Sequence, residues 1–228
     1  MASVIKKAPL CKRAFVEALG VFIFVFLGAG SAIAAGYAGL GGSAILAIAF
    51  ANGIGLALAI SFAMNISGGH INPAVTIAAF INKLISGKDA IVYMIAQIVG
   101  ATLAGILLVA IFPSILGIPV HYGAPSLGLG VSVIGGIILE AIMTFFLVLM
   151  VFGTIVDQRA PKMAGFGVGL VVVLDVLVGG AFTGAAMNPA RAIGPMIASG
   201  FFANWYVYWI GPILGAIVAA LIYKYIIK

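Results

Sequence analysis

Six long apolar runs, separated by short loops, decide what this chain can become. They fall at about residues 14–35, 44–64, 91–112, 131–156, 165–182 and 203–226, and a helix needs about 20 such residues to cross a bilayer core. Two shorter apolar stretches, 73–82 and 189–198, follow the second and fifth runs. Ten residues of helix rise only about 15 Å, half a bilayer, so these read as re-entrant half-helices. The chain is 64% hydrophobic and 7% charged, where a soluble domain is about 45–50% apolar and about 25% charged. A water-soluble globule is excluded because so few charges cannot form a polar shell. Disorder is excluded because it needs low hydrophobicity and high charge. The fold class expected is an all-α membrane protein, with six transmembrane helices plus two half-helices.

Charge placement gives orientation. Lys6, Lys7, Lys12 and Arg13 precede the first run, Lys83 and Lys88 lie between the second and third, and Arg159 and Lys162 between the fourth and fifth. Lys224 and Lys228 close the chain. With six spans all of these fall on one side, and loops 36–43 and 113–130 opposite carry no Lys or Arg. The positive-inside rule makes the basic side cytoplasmic, with both termini inside. This accounts for the net charge of +6 better than nucleic acid does, since no continuous basic patch or nucleic-acid motif is present. The single cysteine, Cys11, excludes an intramolecular disulfide and a cysteine-based metal cluster. Two histidines, His70 and His121, leave no zinc site, so neither metal nor other cofactor is expected. The run after Lys12-Arg13 is too long for a cleavable signal peptide.

The exception among the basic residues, Arg191, leads to a repeat. Asn72-Pro73-Ala74 and Asn188-Pro189-Ala190 each open a half-helix, and Arg191 follows the second. Glu17-Ala18 and Glu140-Ala141 each open an aromatic-rich run, and Tyr93 and Gly100 correspond to Tyr208 and Gly215. The chain therefore reads as one membrane domain, 1–228, made of two repeats at about 9–112 and 131–227. Each holds three spans plus a half-helix. Three is odd, so the second copy is inverted in the membrane. Inverted repeats place their site near the midplane, at interrupted helices. The half-helices enter from opposite faces, so Asn72 and Asn188 are expected to meet at the centre.

The chemistry of the motif follows from its residue types. Asn caps a helix start with its side-chain oxygen, and Pro suits the first helical position. The Asn NH2 group is then free to donate outward. Two such donors at one point can hold one solute oxygen, and both half-helix dipoles put positive ends there. A water gripped by its oxygen directs its hydrogens away along the pore. It cannot accept a proton from a neighbour, and cations are repelled.

These residues resemble the signature loops of the aquaporin, or major intrinsic protein, family. The likeness is carried by Asn65-Ile66-Ser67-Gly68-Gly69-His70-Ile71-Asn72-Pro73-Ala74-Val75 and by Met187-Asn188-Pro189-Ala190-Arg191, and it extends from Glu17 to about Tyr223. It implies a homotetramer with one pore per protomer in the cell membrane, of a prokaryotic, archaeal branch. By position it implies Asn72 and Asn188 as central donors and Arg191 as the arginine of a narrow outer filter. Pore-lining carbonyls are implied at Gly68, Gly69, His70, Gly184, Ala185 and Ala186. Glu17 and Glu140 match buried glutamates that brace the loops, which suits membrane-embedded carboxylates. His70 either braces its loop or lines the pore.

The remaining filter positions match Asn52, Val176 and Ala185. Water-strict members usually carry an aromatic residue and a histidine at the first two, so a wider opening is expected. Ala192 after the filter arginine and the Tyr208-Trp209 pair pull back toward water channels. Asp175, about 20 Å into the fifth span, is expected either to bond a neighbouring helix or to tune the filter through Arg191 or Asn52. Trp205, Tyr206, Tyr208 and Trp209 form an interfacial aromatic cluster, while Gly165/Gly169 and Gly211/Gly215 are small-residue helix contacts.

The reading is a passive pore for water, with slow passage of glycerol or other small neutral solutes, excluding protons and ions. The alternative is a channel whose main substrate is a small neutral solute. A coupled secondary transporter is more remote, because the expected midplane offers neutral amides rather than ion-binding carboxylates. No Ser/His or paired-Asp arrangement suggests an enzyme.

Overall fold

The computed structural model describes residues 8–161 and 163–228, and Lys6, Lys7 and Lys162 of the charge argument lie outside the described residues. The helices are α1 (Leu10–Tyr37), α2 (Ala44–Ala63), α3 (Pro73–Ile81), α4 (Gly87–Ile111), the short α5 (Ser114–Gly117), α6 (Val133–Val151), α7 (Phe166–Thr183), α8 (Pro189–Ser199) and α9 (Val207–Ile222). Among the described residues there is no strand. Six helical segments are long and apolar enough to cross a membrane: Leu10–Tyr37, Gly41–Ala63, Gly87–Ile111, Val133–Val156, Phe166–Thr183 and Val207–Ile227. The chain is thus an all-helical, multi-pass membrane protein.

Helix boundaries differ from the apolar runs where polar caps extend them. α4 starts ahead of its apolar run because Ser86 caps it, its hydroxyl accepting from the Asp89 N–H at 3.1 Å. Ser132 caps α6 in the same way through the Gly135 N–H. α7 and α8 both stop at a glycine in the left-handed region, Gly184 (φ 80°) and Gly200 (φ 74°). α3 and α8 have 9 and 11 residues, about half a bilayer each.

Packing follows the repeat positions. α1 lies against α4, α6 against α9, and α2 against α7. Gly100 sits on the backbone of Ala18, and Gly215 on that of Ala141, where any Cβ would overlap the neighbouring chain. Gly53 and Gly169 press on each other's backbones where α2 crosses α7. Without a hydrophobic drive between helices in lipid, such close contacts supply the association energy. The outer surface is apolar, with Leu46, Phe50, Ile54, Leu58 and Phe62 all exposed on α2. Charged and polar side chains lie inside, Glu17, Gln97, Glu140 and Thr144 among them with no accessible surface.

Candidate pore and its lining residues

Each half-helix is preceded by a loop held by one glutamate. Glu17 on α1 accepts four hydrogen bonds, from the Ser67 hydroxyl (2.6 Å), the His70 N–H (2.9 Å), the Ile71 N–H (2.6 Å) and Gln97 Nε2 (2.8 Å). Glu140 on α6 accepts three, from the Thr183 hydroxyl (2.7 Å), the Ala186 N–H (2.9 Å) and the Met187 N–H (2.7 Å). Desolvating a carboxylate is costly unless its oxygens are satisfied, and these donors are what make burial tolerable.

The loops adopt unusual backbone conformations to present those N–H groups. Ile71, Ala185 and Met187 have φ of 53°, 43° and 53°, although none is glycine. A trans peptide sets its N–H and C=O in opposite directions. The N–H groups of His70, Ile71, Ala186 and Met187 point at the glutamates. The carbonyls of Gly69, His70, Ala185 and Ala186 therefore point away from them.

The half-helices begin at the two asparagines. Asn72 Oδ1 accepts from the Ala74 N–H at 2.8 Å, and Asn188 Oδ1 from the Ala190 and Arg191 N–H groups at 3.0 and 3.2 Å. Their amide nitrogens cross over. Asn72 Nδ2 donates to the Met187 carbonyl, and Asn188 Nδ2 to the Ile71 carbonyl, both at 2.9 Å. The amides are thus not wholly free, as the sequence suggested. Each commits one N–H to the opposite loop and retains one.

Two cavities flank this pair, called inner for the one beside Arg13 at the start of α1 and outer for the one at the other end of α1. The inner one, about 330 Å³, is lined by Ser67, Gly68, Gly69, His70 and Val75, with Arg13, Asp89 and Tyr93 beside them. Arg13 pairs with Asp89 at 2.9 Å, and Tyr93 donates to the Ser67 carbonyl at 2.7 Å. The outer one, about 240 Å³, is lined by Ile48, Val176, Gly180, Gly184, Gly123 and Arg191, among others. Arg191 is buried and donates from Nη1 to the Gly123 carbonyl at 2.9 Å.

Of the four filter positions, Val176 and Arg191 line the outer cavity, while Asn52 and Ala185 do not. Asn52 is buried, with its Nδ2 donating to the Ile48 carbonyl in its own helix and its Oδ1 lying over Gly28 of α1. His70 serves through both parts: its N–H reaches Glu17, and its Nδ1 lies 3.2 Å from the Thr76 hydroxyl. Asp175 forms neither contact expected of it. It has no ion pair or side-chain hydrogen bond among the described residues, and its Oδ2 is buried without a partner. α7 turns it inward beside Val176 without presenting a donor. Among the described residues no group of three metal-binding side chains occurs. Sequence reasoning missed Ser67, Thr183, Gln97 and Gly123. Ser67 and Thr183 stand at matching places before the two loops, a signal that was available.

The sequence matches the Major intrinsic protein family over residues 4–223. It is 42% identical over 221 residues to "Aquaporin TIP4-4" of Zea mays, covering 93% of this chain and 86% of that protein. It is 40% identical to "Probable aquaporin TIP3-2" of Arabidopsis thaliana, covering 92% and 82%. The fold resembles that in the X-ray structure of the aquaglyceroporin from Plasmodium falciparum, with a TM-score of 0.87 at 26% identity over 96% of this chain and 97% of that one. The sequence relatives named here are plant proteins and lend no support to the prokaryotic, archaeal branch expected from the motifs.

Proposed function

The chain belongs to the major intrinsic protein family, and on that premise we propose that it is a passive pore for water that passes glycerol and similar neutral solutes slowly and excludes protons and ions. The observation that carries this reading is the crossed asparagine pair between two cavities. The N–H left on each of Asn72 and Asn188 grips a passing water by its oxygen. That water has no lone pair left for a proton from its neighbour, so the proton relay stops. The positive ends of α3 and α8 converge there and repel cations, as lining donors and half-helix dipoles do in aquaporin-type selectivity.

The remaining assignments are part of the same reading. Carbonyls of Gly68, Gly69, His70, Gly184, Ala185 and Ala186 replace hydration along the path, and Glu17 and Glu140 brace the loops that carry them. Arg191 and Val176 bound the outer filter, with Asn52 and Ala185 behind them. The halves, 9–112 and 131–227, form an inverted repeat within one domain; the matched Glu17 and Glu140 bonding supports this. In this reading the protein works as a homotetramer in the cell membrane with both termini cytoplasmic; the basic residues Arg13, Lys83, Lys88 and Lys224 support the orientation.

The test is stopped-flow shrinkage of proteoliposomes under sucrose and glycerol gradients, with a pH dye inside. Fast water flux of low activation energy, slower glycerol entry and no proton leak are expected. Saturable or ion-dependent flux would overturn the proposal.

A further inference from the structure

The outer loop that meets Arg191 is seated on α1 by contacts that leave no slack. His121, Tyr122 and Gly123 are three consecutive left-handed residues, with φ of 48°, 50° and 83°. Such a run persists only where the surroundings impose it. A Cβ on Gly123 would lie 2.8 Å from the Ala29 Cα and closer still to its Cβ, and a Cβ on Gly117 would overlap the Tyr122 ring. The His121 ring stacks on Phe201 at 3.6 Å between centroids. Ala29 itself is buried on α1, about 18 Å along the helix from Glu17. One helix thus carries both the brace of the inner loop and the seat of the outer one.

The Gly123 carbonyl is the one protein acceptor recorded for the Arg191 guanidinium among the described residues. A buried guanidinium that loses its acceptor must find another. Arg191 lines the outer cavity, so a guanidinium released from Gly123 can turn into that cavity.

We propose that Ala29 is a positioning residue of the filter: by its small size it lets Gly123 lie against α1, where the Gly123 carbonyl holds the Arg191 guanidinium out of the water path. This rests on the channel reading above. A larger side chain at 29 lifts Gly123, releases Arg191 into the lumen and obstructs flux.

The experiment compares water permeability of proteoliposomes bearing the parent protein, Ala29→Leu, Arg191→Ala and the double variant, at matched protein content. Ala29→Leu is expected to lower water flux about tenfold, the scale of one buried hydrogen bond to a charged group. The double variant is expected to regain the flux of Arg191→Ala, because the obstruction is the arginine itself. A distorted fold would not be relieved by deleting that side chain. Gly117→Ala crowds the ring of Tyr122, the residue before Gly123, at a glycine with ordinary helical angles. It should show the same loss and the same relief, and it decides the matter if Ala29→Leu does not fold. A permeable parent whose variants keep full flux, or whose loss persists without Arg191, overturns the positioning role alone. A parent impermeable to water overturns the channel reading.

Discussion

Asn72 and Asn188 each hold the other's loop: the amide nitrogen of one donates to the carbonyl that precedes the other, at 2.9 Å in both directions. The meeting point is therefore a closed ring of two side chains and two backbone carbonyls, each asparagine holding the other's loop in place. One N–H per amide remains for a permeating molecule. This holding matters because a donor acts on passing water only if it is aimed beforehand.

Replacing either asparagine by alanine removes a helix cap and one crossed bond. A cap contributes about 0.5–2 kcal/mol and a buried hydrogen bond about 1 kcal/mol, so a loss of roughly 2–3 kcal/mol is expected for each. Asn188→Ala should cost more than Asn72→Ala, since Asn188 Oδ1 caps two N–H groups and Asn72 Oδ1 one. Unfolding in detergent measures the order, and a pH dye inside vesicles should report a proton leak in both variants. Equal stabilities with no leak would contradict the arrangement.

The two braces should respond alike to the loss of one acceptor. Glutamine puts an NH2 group where one carboxylate oxygen was. At Glu140 it can replace Oε2, which accepts only from Met187, so one N–H is orphaned. At Glu17 it can replace Oε2, which orphans the Ile71 N–H, while the Gln97 amide, whose oxygen has no partner, can turn and accept from the new NH2 group. At about 1–3 kcal/mol per orphaned donor, each variant should lose about that much. Thermal midpoints of the two variants against the parent decide this, and a loss at only one of the two would contradict it.

Much of this was legible because it is local. An Asn-Pro pair states a helix start wherever it stands, and α3 and α8 begin at Pro73 and Pro189. Glu17 and Glu140 stood out because a carboxylate inside an apolar run is rare. What was not legible depends on long-range meetings. The Gly123 carbonyl reaches Arg191 through a loop whose left-handed His121 and Tyr122 carry no sequence signature. The orientation of Asn52 was hidden for a different reason. On α2 the buried Leu56 and Ile60 are as apolar as the exposed Ile54 and Leu58, so periodicity does not tell lumen from lipid. Asp175 was placed beside Val176, where it lies, but its expected partner is not found among the described residues, because an inward-facing position does not ensure one.

Thiol chemistry probes the outer loop. Cys11 is exposed near the start of α1, away from the outer cavity, so mercurials should leave water flux unchanged. Ala185, one residue after the cavity-lining Gly184, is buried at the loop's turn. Ala185→Cys should make the channel mercury-sensitive, reversibly with a reducing thiol. Inhibition of the parent that disappears in Cys11→Ser would contradict this.

In the proposed reading the width of the filter is set by the residues that share the outer cavity with Arg191. Val176 lines the outer cavity on α7, with Ile48 of α2 and Gly180 also on its wall. That wall offers apolar carbon and no donor. A three-carbon polyol can lay its CH groups along Val176 and Ile48 while its hydroxyls reach the Arg191 N–H groups, so slow glycerol permeation is expected beside water. Val176→His adds bulk and a polar ring at the same place. The cavity, about 240 Å³, holds several waters at about 30 Å³ each, but a polyol must pass its narrowest section whole. The histidine variant should therefore lose glycerol flux by about tenfold, the effect of roughly 1.4 kcal/mol at the barrier, while losing less than half that free energy for water. Both fluxes are measured in the same proteoliposomes by light scattering under sucrose and glycerol gradients. Equal loss of the two, or a parent that excludes glycerol, would mean that Val176 does not bound the narrowest point, and the constriction would then have to be sought at Ile48 or at the asparagine pair.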